Sequence, residues 1–289
     1  MNILGTGLSG LVGSRVVELL SPSHTFTNLS LETGIDITDH SAVTAAIKTS
    51  DAPWIFHLAA YTNVQGAEQE RDLGEKSAAW KVNVIATENI VEAASTYHKK
   101  VLYIDTDYAF DGTQKSYSEE DVPSPLGWYA RTKSEGAKRV LTLKDNALVV
   151  RIANPYRANP VGKTDFVHKM LERLTKNLGI SAPSDQLFVP TFIDDVAAAL
   201  HALLEASASG IYHVVGSTAL SPYEAAHAIA SEFGCDTNQI TKTSFAQYFA
   251  NRAPTPQFAA LTNDKIRALG VTMHTFEEGL KIVHTQEVS

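Results

Sequence analysis

Four glycines stand near the N-terminus, directly after a short apolar run: Gly5, Gly7, Gly10 and Gly13. Their spacing matches the G-x-G-x-x-G pattern, and the turn lies between a predicted strand at 2–5 and a predicted helix at 11–20. A loop without Cβ atoms approaches a pyrophosphate closely, and the free N–H groups at a helix N-terminus bind its negative charge. The first strand-to-helix turn is therefore predicted to hold a dinucleotide.

The chain that follows alternates short apolar runs with longer segments of helical periodicity, which is typical of a parallel sheet covered on both faces. Further strands are predicted at 25–29, 54–60, 101–105, 147–152 and 211–215, and helices at 41–50, 77–97, 127–143, 166–178, 194–206 and 276–283. We predict an α/β fold: a Rossmann-type, doubly wound parallel sheet over 1–155, followed by a smaller mixed α/β substrate-binding region over 156–289. In an alternative division, residues 190–215 return to the first sheet.

Charge and composition exclude several classes of function. The 289 residues carry 24 Lys and Arg against 32 Asp and Glu, a net charge of −8, and no basic cluster that would bind nucleic acid. The single cysteine, Cys235, excludes an internal disulfide, and the histidines lack metal-ligand spacing, so no metal site is expected. Because no apolar run approaches the ~18 residues of a membrane helix, we expect a cytoplasmic protein with no membrane partner.

The identity of the dinucleotide stays open between NADPH and NADH. An acid that binds the adenosine ribose of NAD is expected at the end of the second strand, about 20 residues after the glycine turn. No acid precedes Glu32 in that region, and no Arg or Lys stands where it would obviously bind a 2′-phosphate. The missing acid favours NADP slightly.

A tyrosine and a lysine supply the second chemical signal. Tyr129 and Lys133 are four residues apart in the predicted helix, so both side chains lie on one face. A ketone reductase needs a proton donor for the alkoxide that forms as hydride arrives. Free tyrosine has a pKa of about 10, and a nearby ammonium is expected to lower that pKa toward the working range. Thr106 ends a predicted strand, where doubly wound sheets bind ligands, so Thr106, Tyr129 and Lys133 are the predicted catalytic residues.

These motifs resemble the extended short-chain dehydrogenase/reductases, specifically the dTDP-4-dehydrorhamnose reductase group, and the likeness is densest at 57–64, 106–112 and 129–135. The resemblance implies an NAD(P)H-dependent oxidoreductase that reduces a nucleotide-linked keto-sugar, with Tyr129 as proton donor. It implies cofactor contacts at Gly7, Gly10, Leu11, Val12, Gly13, Asp36, Ile37, Ala59, Ala60, Tyr61, Asn83, Tyr129 and Lys133. It implies substrate contacts at Thr106, Asp107 and Asn154, and relatives of this kind commonly form homodimers.

The sequence also departs from the family pattern. Asp105 replaces a Ser or Thr, Asn154 replaces a Trp, and Phe188 and Val189 replace small residues. An unpaired carboxylate at position 105 would be costly in a buried site. These departures predict a changed substrate pocket and leave two alternatives open. One is a cofactor-binding regulatory subunit resembling the methionine adenosyltransferase beta subunit, and the other is an NAD-dependent sugar epimerase or dehydratase.

Overall fold

A computed structural model of the chain describes residues 1–288. The N-terminal half alternates strands with helices: β1 (Asn2–Thr6), α1 (Leu11–Leu20), β2 (Thr25–Asn28), α2 (His40–Thr49), β3 (Trp54–His57), α3 (Val64–Gln69), α4 (Ala78–Trp80), α5 (Ala86–Thr96), β4 (Lys100–Thr106), α6 (Trp128–Leu141) and β5 (Ala147–Ile152). The strand predicted at 54–60 ends at His57. The helix predicted at 77–97 contains a π-helical segment, Lys81–Ile85, between α4 and α5. The carbonyl of Asn83 in this segment packs directly against Gly136 of α6, so the two helices approach closely.

The C-terminal half has shorter elements: β6 (Pro155–Tyr156), α7 (Phe166–Thr175), β7 (Ile180–Pro183), β8 (Leu187–Phe188), β9 (Thr191–Phe192), α8 (Ile193–Glu205), β10 (Gly210–His213), α9 (Pro222–Glu232), β11 (Ile240–Thr243), α10 (Phe245–Phe249), β12 (Phe258–Ala259), α11 (Asp264–Arg267) and α12 (Phe276–Val288). Short parallel pairs, β7 with β11, β8 with β12 and β6 with β9, connect these segments. None of the helices within residues 1–288 is both long and apolar enough to span a membrane.

The central sheet has six parallel strands in the order β10-β5-β4-β3-β1-β2. β10 pairs with β5, and α8 packs against α1, whereas β9 pairs with β6 outside this sheet. The division of the chain into domains stays a prediction. The chain leaves β1 toward β2 on one side and toward β3 on the other. This reversal opens a crevice at the carboxyl ends of β1 and β3, which is where doubly wound sheets bind ligands. The predicted Rossmann-type fold is confirmed.

The apolar residues of the sheet alternate between two cores. Ile3 and Phe56 face α1 and α8, whereas the neighbouring Leu4 and Ile55 face α2 and α5. A third core holds the C-terminal segments together around Tyr156 and other aromatic side chains. Helices thus cover both faces of the sheet, and its carboxyl edge is left for the segments that follow β5.

Candidate active site

A cleft of about 650 Å³ lies at the carboxyl edge of the sheet, between the glycine turn and the segment 152–169. Most of the residues predicted for the site line it: Gly7, Gly10, Leu11, Val12, Gly13, Ala59, Ala60, Thr106, Asp107, Tyr129, Lys133 and Asn154. They come from the ends of β1, β3, β4 and β5 and from the first turns of α1 and α6. The topology therefore brings together residues that are far apart in the sequence.

The glycine turn has the geometry that a dinucleotide requires. Gly7 has a φ of +68°, and a Cβ atom there would lie 2.5 Å from the backbone nitrogen of Ala59. A Cβ atom at Gly13 would collide with the carbonyl of Gly7. Gly10 precedes α1 without a side-chain cap, so the N–H groups of the first helical turn stay available to an anion. These residues fit the pyrophosphate of an NAD(P) cofactor.

Thr106, Tyr129 and Lys133 meet in this cleft from two elements. Thr106 is the last residue of β4, and Tyr129 and Lys133 lie one turn apart on α6. Lys133 is buried, and its Nζ donates a hydrogen bond to the carbonyl of Ile104 at 2.7 Å. The same ammonium lies 3.9 Å from the centre of the Tyr103 ring. The packing of α6 on β4 therefore places a hydroxyl, a phenol and a cation beside one another.

The pKa of the Tyr129 hydroxyl is raised, whereas the sequence predicted that it would be lowered. Burial raises this pKa well above its usual range, and the Thr106 hydroxyl opposes the rise only in part. The expectation that Lys133 lowers the pKa of Tyr129 is wrong for this structure. The Lys133 ammonium donates to the Ile104 carbonyl and lies over the ring of Tyr103. Tyr129 is therefore a neutral phenol at neutral pH, which is the form that donates a proton.

Asp107 contributes a carboxyl group with a raised pKa. Burial raises the pKa of Asp107 to about 7, although the Thr106 hydroxyl donates a hydrogen bond to its Oδ1 at 3.0 Å. Its Oδ2 is buried without a hydrogen-bond partner within residues 1–288. Because buried polar atoms are rarely left unpaired, this oxygen is suited to bind a hydroxyl group of a ligand.

Asp105, which departs from the family pattern, is paired. Its Oδ2 accepts a hydrogen bond from Arg151 Nε at 3.2 Å, and both side chains are almost fully buried. The guanidinium also donates from Nη1 to His213 Nε2 at 3.3 Å and lies 5.0 Å from the centre of the Phe110 ring. Burial and Arg151 lower the pKa of His213 to about 3, so its ring is neutral and accepts. The predicted cost of a carboxylate at this position is thus offset by a cation from the neighbouring strand.

Four residues predicted to bind the cofactor do not line the cleft. Asn83 is buried, and it accepts a hydrogen bond from the backbone N–H of Tyr61 at 2.8 Å and donates one to Thr132 at 2.9 Å. Its side chain therefore connects α6 to the chain after β3. Asp36 accepts hydrogen bonds from Thr38, and the carbonyl of Ile37 accepts one from Asn89. Tyr61, Asp36 and Ile37 are likewise absent from the residues that line the cleft.

Two of the altered pocket positions do not reach the cleft either. Phe188 packs in the C-terminal core, where its ring lies edge-on to Phe166 at 5.7 Å, and Val189 is buried in a separate cluster with Phe110 and Leu261. Their expected effect on the pocket is therefore indirect, because Phe166 itself lines the cleft. Asn154 does line the cleft, and it has a left-handed backbone with a φ of +41°.

Sequence reasoning missed a group of lining residues that follow β6. Gly162, Lys163, Asp165 and Lys169 form the wall opposite the glycine turn. The connector before α7 has no periodicity that would predict its path. Lys169 lies on the predicted helix at 166–178, but nothing in that pattern indicates a contact with a ligand. Only the tertiary fold brings these residues over the first strand-to-helix turn.

Comparison with known proteins gives the family. Residues 1–288 match the model described as the RmlD substrate binding domain. A dTDP-4-dehydrorhamnose reductase of Mycobacterium tuberculosis is 31% identical over 274 residues, which cover 92% of this chain and 86% of that protein. The methionine adenosyltransferase 2 subunit beta of Mus musculus is 30% identical over 294 residues, covering 96% and 86% respectively. The structure of dTDP-4-dehydrorhamnose reductase from Bacillus anthracis in complex with NADP has a TM-score of 0.88 to this chain at 28% identity and covers 99% of both chains. The resemblance seen in the sequence is confirmed, and this chain belongs to the RmlD substrate-binding domain family.

Proposed function

We propose that this chain is an NAD(P)H-dependent reductase of the keto group of a nucleotide-linked sugar. The observation that carries the proposal is that Thr106, Tyr129 and Lys133 line the same cleft as a glycine turn that fits a pyrophosphate. The reductases of Mycobacterium tuberculosis and Bacillus anthracis support the reaction class, and the NADP in the latter structure supports NADPH as the reductant.

Each residue has a role in this reaction. The glycine turn holds the cofactor, which supplies a hydride to the carbonyl carbon when bound. Thr106 donates a hydrogen bond to the carbonyl oxygen, and Tyr129 transfers its phenolic proton to that oxygen as the alkoxide forms, which yields an alcohol. Lys133, which lines the same cleft, would bind the nicotinamide ribose. Asp107 and Asn154 bind sugar hydroxyl groups.

The direct test is turnover of dTDP-4-dehydrorhamnose, the substrate named by the relatives. We expect the purified chain to oxidise NADPH when that sugar is generated in the same mixture. The loss of nicotinamide absorbance measures this oxidation. Without the sugar, no oxidation is expected. Cofactor binding without turnover of this sugar would contradict the substrate assignment.

The rate of reduction should fall as the pH rises above about 8. Burial lowers the pKa of Lys133 to about 8, and the Asp105 carboxylate opposes this change only in part, so the ammonium loses its proton there. The Tyr103 ring and the Ile104 carbonyl, which also face Nζ, are uncharged. A kcat profile measured from neutral to alkaline pH tests this, and a constant kcat well beyond pH 8 would contradict the role of the ammonium. Tyr129 does not account for this decline, because burial keeps its hydroxyl protonated.

The second candidate function is a regulatory subunit, and it is favoured by the 30% identity to the mouse methionine adenosyltransferase 2 subunit beta. This candidate is less supported, because a regulatory role needs no buried proton donor in the cleft. Recovery of a stoichiometric foreign subunit together with absent turnover would favour it. The epimerase or dehydratase alternative is also less supported. The homodimer and the cytoplasmic location stay predictions.

A further inference from the structure

A loop of the C-terminal region crosses the cleft at the glycine turn. Gly162 faces Ser9, and a Cβ atom at Gly162 would lie 3.8 Å from the Ser9 carbonyl oxygen. The next residue, Lys163, reaches the chain that follows β3: its Nζ donates to Thr62 Oγ1 at 3.2 Å and to the Thr62 carbonyl at 3.4 Å. Lys163 therefore joins the two walls of the cleft.

Two lysines in this wall have no acidic partner. Lys163 and Lys169 both line the cleft, and neither forms a salt bridge within the part of the chain that the structure describes, residues 1–288. Asp165, which stands between them, is already engaged, because it accepts hydrogen bonds from His168 and from the backbone of Arg157. Lys163 is exposed, and partial desolvation and the neighbouring Lys169 both lower its pKa. A ligand with several negative charges would relieve this repulsion.

The position of the two lysines relative to the glycine turn indicates which part of a ligand they would contact. Gly162 lies against the Ser9 carbonyl in the glycine turn, and Lys163 reaches Thr62 beyond β3, whereas Thr106 and Asp107 lie at the end of β4. Lys163 is thus close to the turn that precedes the first turn of α1, where the phosphates of a dinucleotide would lie.

We propose that Lys163 and Lys169 form an anion subsite that holds the pyrophosphate of the dinucleotide from the side opposite the glycine turn. The inference rests on the proposed function, because the dinucleotide is the cofactor of that reaction. When the cofactor binds, Lys163 releases Thr62 and donates to a phosphate oxygen instead. The loop at 159–165 then remains packed on the first strand-to-helix turn. The contact with Ser9 and Thr62 assigns the subsite to the cofactor and not to the sugar nucleotide.

The test is direct titration of the cofactor, without turnover. NADPH, NADH and reduced nicotinamide riboside, which lacks both phosphates of the pyrophosphate, are titrated into the wild type, Lys163→Ala and Lys163→Ala/Lys169→Ala and followed by nicotinamide fluorescence. Because a charge-assisted hydrogen bond is lost, we expect Kd for both dinucleotides to rise about tenfold in Lys163→Ala, and further in the double variant. The riboside should bind all three proteins equally.

The matched control is Lys176→Ala. Lys176 follows α7 and pairs on the surface with Glu172, so its loss should leave every Kd unchanged. Thermal unfolding shows whether each variant is folded. Unchanged Kd values for the dinucleotides would overturn the subsite. A rise in Kd confined to NADPH would also overturn it, because that result places the lysines at the 2′-phosphate. dTDP is titrated separately by calorimetry, and weaker binding of dTDP with unchanged binding of the dinucleotides would also overturn the subsite, in favour of the sugar nucleotide. A wild type that binds neither dinucleotide would contradict the proposed function itself.

Discussion

Tyr129→Phe should lower kcat for keto-sugar reduction by about 100- to 10,000-fold, the contribution that a positioned proton donor makes. The change removes only the hydroxyl group. Tyr129 is the phenol that shares the cleft with Thr106 and Lys133, and burial keeps it protonated at neutral pH. The affinity for NADPH should stay unchanged, because the glycine turn is not altered. Turnover and cofactor titration on the same preparation measure both quantities.

A second tyrosine provides the control for this experiment. Tyr212 lies on β10, the outer strand of the sheet, with Lys265 over its ring, and it does not line the cleft. Tyr212→Phe should keep the wild-type kcat. If Tyr129→Phe also keeps most of its rate, another group donates the proton, and the assignment of Tyr129 is wrong.

Arg151→Met should lower the free energy of unfolding by about 3–5 kcal/mol, because it leaves the buried Asp105 carboxylate without its cation. Arg151 is only 2% exposed, and the Asp105 side chain is fully buried. The other Asp105 oxygen has no partner within residues 1–288, and His213 also loses its donor. Urea unfolding at pH 7 measures the loss.

The double variant Arg151→Met/Asp105→Asn separates charge from packing. Removing both charges should recover a large part of the lost stability, because an uncharged pair has no buried ion to desolvate. Surface pairs give the comparison: Lys138→Met, which breaks an exposed contact with Glu135, should cost less than about 1 kcal/mol. Asp105→Asn alone completes the comparison: if the loss in the double variant equals the sum of the losses in the two single variants, the two residues do not stabilise each other as an ion pair.

Local patterns in the sequence were sufficient for the glycine turn, for the Tyr129 and Lys133 spacing and for the alternation of β1 to β5. Each of these depends on residues that are close together in the chain: a missing Cβ atom, a helical face or an apolar run. The parallel sheet follows from the alternation. The place of Thr106 then follows as well, since ligands bind where the strands of such a sheet end.

Contacts between distant residues needed the tertiary structure. Asp105 is tolerated because Arg151, 46 residues later, lies beside it on the next strand. The direction of the Tyr129 pKa change depends on how deeply the ring is buried and on which atoms hold Lys133. Lys163 reaches Thr62, in the chain after β3, because the segment after β6 folds back over the carboxyl edge of the sheet. Burial and charge proximity depend on the whole packed chain, whereas the sequence alone determined the local turns and faces from which the cleft is built.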